Sequence, residues 1–306
     1  MAFTAADVKN LREMTGVGMM DCKKALAETD GDIDKAIEYL REKGLAASAK
    51  KAGRIAAEGA AYAAVIDGIG VVGEVNAETD FGGKNEKFQE FVKGVAATVA
   101  AQNPADLDAL METKYNGTEL TVLQQQQEMV LVIGENIKVR RFARFADGLS
   151  VPYIHAGGKI GVLVNLVVEG EVTDAVIECG KDMAMQIAAL NPRFWDKAQV
   201  TEEVLAEEKR IMMAQMDNDP KMAGKPEQVK EKIVIGKLNK FYAENCLLQQ
   251  EFVKDNEFTV EKYIASSAKA LGGKVTFKNA VRFEKGEGIE KKQENFAEEI
   301  AKTLAQ

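Results

Sequence analysis

Over residues 5 to 44 the apolar positions recur at helical spacing in three short stretches. They are Ala5, Val8 and Leu11; Cys22, Ala25 and Leu26; and Ile33, Ala36, Ile37 and Leu40, the last at i, i+3, i+4 and i+7. TGVG at 15–18 breaks the first pair and TDGD at 29–32 the second, leaving Asp32 as an N-cap and Gly44 as a stop. The pattern predicts a small three-helix module over residues 1–44. Met19 and Met20 stand side by side after a glycine turn, where helix periodicity buries only one of them well. Either both fill gaps in a tiny core, or they form a pliable patch for a partner with Lys23 beside it.

Beyond this module, LAASAKKAGRIAAEG at 45–59 is alanine-rich and basic, and reads as a linker helix whose Lys50, Lys51 and Arg54 form a solvated face. The period then switches from helix to strand. VIDGIGVVGEVN at 65–76 and YIHAGGKIGVLVNL at 153–166 both read as strand, glycine turn, strand. Each is followed by a helical stretch ending in Asn-Pro, FVKGVAATVAAQNP at 91–104 and GKDMAMQIAALNP at 180–192. Each half closes on a β-rich run with Arg-Phe, at 137–148 and 274–286. The expectation is one strand-helix unit used twice, over 60–148 and over 149–196 with 246–285.

Spacing shows where the halves diverge. Gly70 to Asn103 is 33 residues and Gly161 to Asn191 is 30, so the first half is longer by three, placed at Thr79 to Lys84. A lengthened strand-to-helix connection is a place to look for function. Asn103 to Phe145 is 42 residues but Asn191 to Phe283 is 92, so the second half holds an insertion of 50. Two charged helical stretches fill most of it, over 197–245. Val204, Glu208, Ile211 and Met212 mark one face, Val229, Ile233 and Leu238 the other, and Pro226 suits a first helical position. An antiparallel hairpin follows, packed on a second copy or another protein, or folded back on its own core.

Composition narrows the function. The 306 residues are 46% hydrophobic and 29% charged, ordinary for a globular chain of two or three domains. Forty basic against 48 acidic side chains give a net charge of −8, which removes any general electrostatic reason to bind nucleic acid or an anionic membrane. A protein partner fits better. Cys22, Cys179 and Cys246 lack metal or redox spacing, and no run nears 18 consecutive apolar residues, which points to a cytoplasmic chain. No phosphate loop, dinucleotide fingerprint, HExxH or GxSxG is present. The single histidine, His155, rules out a two-histidine metal site and reads as a turn residue with a local hydrogen bond. No cofactor, metal or catalytic residue is indicated.

One stretch stands apart, NAETDFGGKN at 76–85. Asp80 and Phe81 read either as a cap before a helix starting near Glu86 and a core plug, or as an anion and a ring displayed on a loop that Gly82 and Gly83 free to extend. The second reading suits a wedge inserted into a partner.

These residues carry a resemblance. LREMTGVGMMDCKKAL at 11–26, EVNAETDF at 74–81, IGENIKVRR at 133–141 and HAGGKIGVLV at 155–164 resemble, in order, segments of the elongation factor Ts family, and the likeness spans essentially the whole chain. It implies an α+β fold: an N-terminal three-helix, UBA-like module, two core subdomains, an inserted helical hairpin serving dimerisation, and a C-terminal helical module over 286–306. It also implies guanine-nucleotide exchange on elongation factor Tu, with no covalent chemistry, as a homodimer or a 2:2 complex. Thr79, Asp80, Phe81 and Gly82 would intrude near the partner's Mg²⁺, and Met19, Met20, Lys23, Ile133, Gly134 and His155 would meet its surface. The family usually has valine where this chain has Gly82, and serine, cysteine or valine where it has Ala77. The other reading is a non-catalytic scaffold acting through the hairpin.

Overall fold

A computed structural model describes residues 3–270 and 273–290. The chain divides into two compact units. The first holds residues up to Arg144 together with Ile154–Gly161 and the segment from Phe283; the second holds Phe145–Tyr153 and Val162–Arg282.

In chain order the first unit carries α1 (Ala5–Thr15), α2 (Met19–Glu28), α3 (Ile33–Lys51), β1 (Glu58–Ile66), β2 (Ile69–Ala77), α4 (Asp80–Lys84), α5 (Glu86–Gln102), α6 (Leu107–Glu112), α7 (Val122–Ile133) and most of β3 (Lys138–Phe145). Thr4 caps α1 in a reciprocal box with Asp7, and left-handed Gly16 ends it. Asp32 caps α3 by accepting from the Lys35 N–H at 3.1 Å. Val8, Leu11, Cys22, Ala25, Leu26, Ala36 and Leu40 form the three-helix core, against which Leu131 and Val132 of α7 pack. Gly44 does not stop α3, which runs on to Lys51. Gly44 is buried inside α3 facing α7, where a Cβ would stand in ordinary contact 3.4 Å from the Gln127 carbonyl oxygen.

Of the expected linker helix, residues 45–51 are the end of α3, and 52–57 form a turn, a bend and irregular chain before β1 begins at Glu58. Its cations are not simply a solvated face either. Lys51 Nζ donates to the Gly134 carbonyl at 2.5 Å, and Arg54 lies 3.5 Å from the Glu78 carboxylate. The sheet order is β1-β2-β3, with β1 and β2 antiparallel around the Asp67-Gly68 turn. Helix α5 covers the sheet with Phe88, Phe91, Val92, Val95 and Val99 and ends at left-handed Asn103. Glu74 on β2 is fully buried and is met by Arg140 at 2.9 Å, Arg141 at 2.6 Å and the Gly286 N–H at 2.7 Å.

The remaining elements are β4 (Leu149–His155), β5 (Ile160–Glu169), α8 (Asp174–Leu190), α9 (Glu202–Asn218), α10 (Glu227–Asn245), β6 (Glu251–Phe252), β7 (Asp255–Thr259), α11 (Val260–Ala270) and β8 (Lys274–Glu284). A second sheet has the order β4-β5-β8, and α8, ended by left-handed Asn191, follows its middle strand. Helices α9 and α10 pack on each other through Leu205, Met212, Met216, Ile233, Val234 and Leu238. Val204 contributes as expected, but Ile211 and Val229 are exposed, and Pro226 takes the cap position, one residue before the helix. Residues 285–288 form a turn, and the rest of the expected C-terminal helical module, 291–306, lies outside the described residues.

Candidate functional site

The connection from β2 to α5 is not an open loop, and Asp80 does not cap α5. Asn85 caps α5, accepting from the Lys87 N–H at 2.9 Å, while residues Asp80–Lys84 form a helical turn of their own, α4. Thr79 caps this turn: its Oγ1 accepts from the Gly82 N–H at 3.0 Å. At the other end Gln89 Nε2 donates to the Gly83 carbonyl at 2.6 Å.

The two glycines are buried and serve close approach, contrary to the expectation that they free the chain to extend. A Cβ at Gly83 would meet the Gly59 backbone at 3.0–3.1 Å, so α4 rests backbone to backbone on the start of β1. A Cβ at Gly82 would fall 2.3 Å from a Glu135 carboxylate oxygen. That carboxylate accepts both donors of Thr79, the N–H at 2.9 Å and the hydroxyl at 2.6 Å. Glu78 returns the contact, accepting from the Asn136 N–H at 2.6 Å, and Asn136 Nδ2 donates to the Arg54 carbonyl at 2.7 Å. Residues 78–79 and 134–136 are therefore strapped together by two carboxylates on backbone N–H groups.

From this fixed turn Phe81 projects with 82% of its surface exposed. It is not a core plug. Asp80, half-buried beside it, accepts from Lys84 Nζ at 2.8 Å, and this bond holds its carboxyl below the usual range while raising the Lys84 ammonium. An apolar ring standing in water on a rigid support gains nothing for the isolated chain.

Of the other residues singled out, Ile133 and Gly134 sit directly before Glu135. Ile133 packs on the core of the first unit, and Gly134, at φ 84°, ends α7 and turns the chain toward Thr79. Met19 and Met20 open α2 and are 51% and 75% exposed, so neither fills the module's core, and Lys23 is exposed on the same helix. The turn before them is tied to the first turn of α5, where Lys87 Nζ donates to the Gly16 carbonyl at 3.2 Å. His155 is exposed at the end of β4, on a separate element. Its turn reaches β1 through the Gly158 carbonyl, which accepts from the Ala61 N–H at 2.8 Å. Sequence reasoning missed Glu135, Asn136, Lys84 and Gln89; the one local signal for Glu135 is an acid placed just after a helix-ending glycine.

Residues 78–287, from the strap to the turn that reaches Glu74, match the family described as Elongation factor TS. The chain belongs to the elongation factor Ts family. It is similar to the elongation factor Ts of Clostridium novyi (strain NT), 47% identical with 99% of both chains covered. It is 47% identical to that of Syntrophotalea carbinolica, covering 98% of this chain and 99% of the relative. With that of Trichlorobacter lovleyi it shares 49% identity over 98% of each. An elongation factor Ts chain is a translation factor. Among the described residues no group of three or more His, Cys, Asp and Glu could hold a metal, and no helix is long and apolar enough to cross a membrane.

Proposed function

We propose that this chain is a guanine-nucleotide exchange factor that binds elongation factor Tu in its GDP form and speeds GDP release. The observation that carries the reading is Phe81, displayed on a clamped turn at the lengthened connection of the first unit. Phe81 wedges between partner side chains, and Asp80 disturbs the charge balance around the partner's Mg²⁺. That ion bridges phosphate oxygens and protein, so its displacement removes a large local charge holding the anionic nucleotide. A factor that prefers the nucleotide-free partner must weaken GDP by the same factor, whatever nucleotide follows. It needs no phosphate site and no covalent chemistry of its own.

The finer architecture belongs to the same proposal. The N-terminal module is UBA-like and docks with Met19, Met20 and Lys23. The two sheets with their covering helices are copies of one unit, which their matching strand orders and left-handed asparagine ends support. The α9–α10 hairpin joins a second copy as a homodimer or in a 2:2 complex, and the protein works in the cytoplasm without contacting nucleic acid.

The test is stopped-flow release of fluorescent GDP from elongation factor Tu with substoichiometric chain. Wild type accelerates release, and folded Phe81→Ala does so at least about tenfold less well. No acceleration by well-folded wild type would sink the reading and leave a scaffold acting through the hairpin.

A further inference from the structure

Helix α4 has five residues, fewer than a helix needs to hold itself together in water, because nucleation is unfavourable and few bonds reward it. Its cap, Thr79, must be fixed from outside. Glu135 does this from 56 positions away: Oε2 accepts the Thr79 N–H at 2.9 Å and Oε1 accepts its hydroxyl at 2.6 Å. With the hydroxyl hydrogen committed to Glu135, a lone pair of Oγ1 is left for the Gly82 N–H at 3.0 Å. An ionised carboxylate offers two adjacent acceptors and no donor, which suits a residue presenting N–H and O–H in one direction. Glutamine would keep one of the two bonds.

Gly82 is the other half of the arrangement. A Cβ there would lie 2.3 Å from Glu135 Oε2 and 2.6 Å from its Cδ. The carboxylate ends a flexible side chain, so an added methyl would push it off Thr79 without breaking the fold. A side chain at 82 and the Glu135 carboxylate in its present position cannot coexist, so the carboxylate must shift. Thr79 is exposed and Glu135 half-buried, so the clamp orders surface, not core. What it fixes is the direction in which Phe81 leaves the turn.

The geometry points to Glu135 as a positioning residue for exchange, which presets the Thr79–Gly82 turn so that Phe81 meets the partner ready oriented, and to Gly82 as the residue that makes room for it. The inference rests on the exchange-factor reading of residues 79–82. Glu135 touches no nucleotide and acts through Thr79.

The full chain is compared with Glu135→Ala, Glu135→Gln, Gly82→Ala and the Glu135→Ala/Gly82→Ala double variant, and Glu135→Ala is also made in a Phe81→Ala background. Amide hydrogen exchange at Thr79 and Gly82 in the isolated chain reads the clamp, and GDP release from elongation factor Tu reads the function. Glu135→Ala and Gly82→Ala should each lose protection at least about tenfold with the thermal midpoint unchanged, and slow release by a similar factor. The double variant should be no worse than either single one, glutamine should be intermediate, and Glu135→Ala should cost less than about twofold once Phe81 is gone. Unchanged protection overturns the clamp. Lost protection with unaltered release, or a loss that persists in full without Phe81, overturns its role in display. A Phe81→Ala chain that releases GDP as fast as wild type sinks the wedge reading and this role with it, while the protection data still judge the clamp.

Discussion

Two strand-to-helix connections in this chain solve the same problem with different equipment. Residues 78–85 lead from β2 to α5 and residues 170–173 lead from β5 to α8; both helices have 17 residues and both end at a left-handed asparagine. The shorter connection holds Gly170, at φ 129°, and Thr173, whose hydroxyl accepts from the Val176 N–H at 3.4 Å. That is enough to start a helix. The longer one adds a one-turn helix, two buried glycines, a bidentate carboxylate and an 82% exposed phenylalanine. Since the shorter form suffices to start its helix, the additions in the longer one go beyond what starting a helix requires.

The largest expected difference between the two regions lies under the connections, in their central strands. Glu74 on β2 and Asn165 on β5 are both buried, but Glu74 faces two guanidinium groups whereas Asn165 donates to the Asp147 carbonyl at 2.6 Å. Glu74→Ala should therefore cost about 3 to 5 kcal/mol, because in a half-buried site Arg140 loses its carboxylate partner and Arg141 keeps only Glu287, at 3.0 Å. Asn165→Ala should cost about 1 to 2 kcal/mol. Urea unfolding of both variants checks the pair, and equal losses would dissolve the contrast. The pH dependence follows. Burial pushes the Glu74 carboxyl up, but the Gly286 N–H, Asn76, Arg140 and Arg141 more than offset this and hold it below its ordinary value of 4.5. The unfolded chain then binds the proton first, so this stability is fully present above the ordinary value and is lost as pH falls through the depressed folded value. An acid titration of stability should be flatter in Glu74→Ala than in wild type over that window.

Next in size is the backbone contact beneath α4. Gly83→Ala places a methyl 3.0 Å from the Gly59 backbone, which cannot swing away as a side chain can, and should cost about 1 to 3 kcal/mol while lifting the turn that carries Phe81. Gly82→Ala, whose methyl meets only the movable Glu135 carboxylate, should leave stability nearly unchanged. Unfolding curves that rank the two alanines in the opposite order would mean that α4 is not seated on β1 as described. The helix caps give a smaller and matched effect: Asn85→Ala and Thr173→Ala should each cost about 1 kcal/mol. Thermal melts of the two variants sharpen the comparison, since only the first should also slow nucleotide release.

How much of this is readable from sequence depends on the range of the interaction. The three N-terminal helices, the Asp32 cap and the lengthened connection are legible because period, capping and spacing are local. Glu135 is not, since its bond to Thr79 spans 56 positions and leaves no local pattern. Gly82 and Gly83 look like freedom for the chain, but sequence does not separate a glycine that flexes from one that lets backbones touch. Gly44 misleads differently, reading as a stop where α3 runs on to Lys51. In the hairpin, Ile211 and Val229 look inward by spacing yet are exposed, while Leu205, Met216, Val234 and Phe241 do the packing. The apolar positions of α10 surround the helix too evenly for one face to be read.

The smallest expected effect concerns the charge beside Phe81. Lys84 Nζ lies 2.8 Å from Asp80 Oδ2, so the anion on the displayed turn is already paired before any partner arrives. Lys84→Ala removes that partner, and both groups are exposed enough that folding should be indifferent to the change. By NMR titration the Asp80 carboxyl should move up toward its ordinary value of 3.8, because the bond that lowers it has gone. At neutral pH Asp80 stays ionised and its field is no longer cancelled nearby. If that field acts on the partner's cation site, release should quicken by less than about threefold at low salt, and the gain should vanish at high salt, where screening does what Lys84 did. A slower rate at low salt would instead assign Lys84 a contact of its own with the partner, and the two connections would then differ by a cation as well as by a ring.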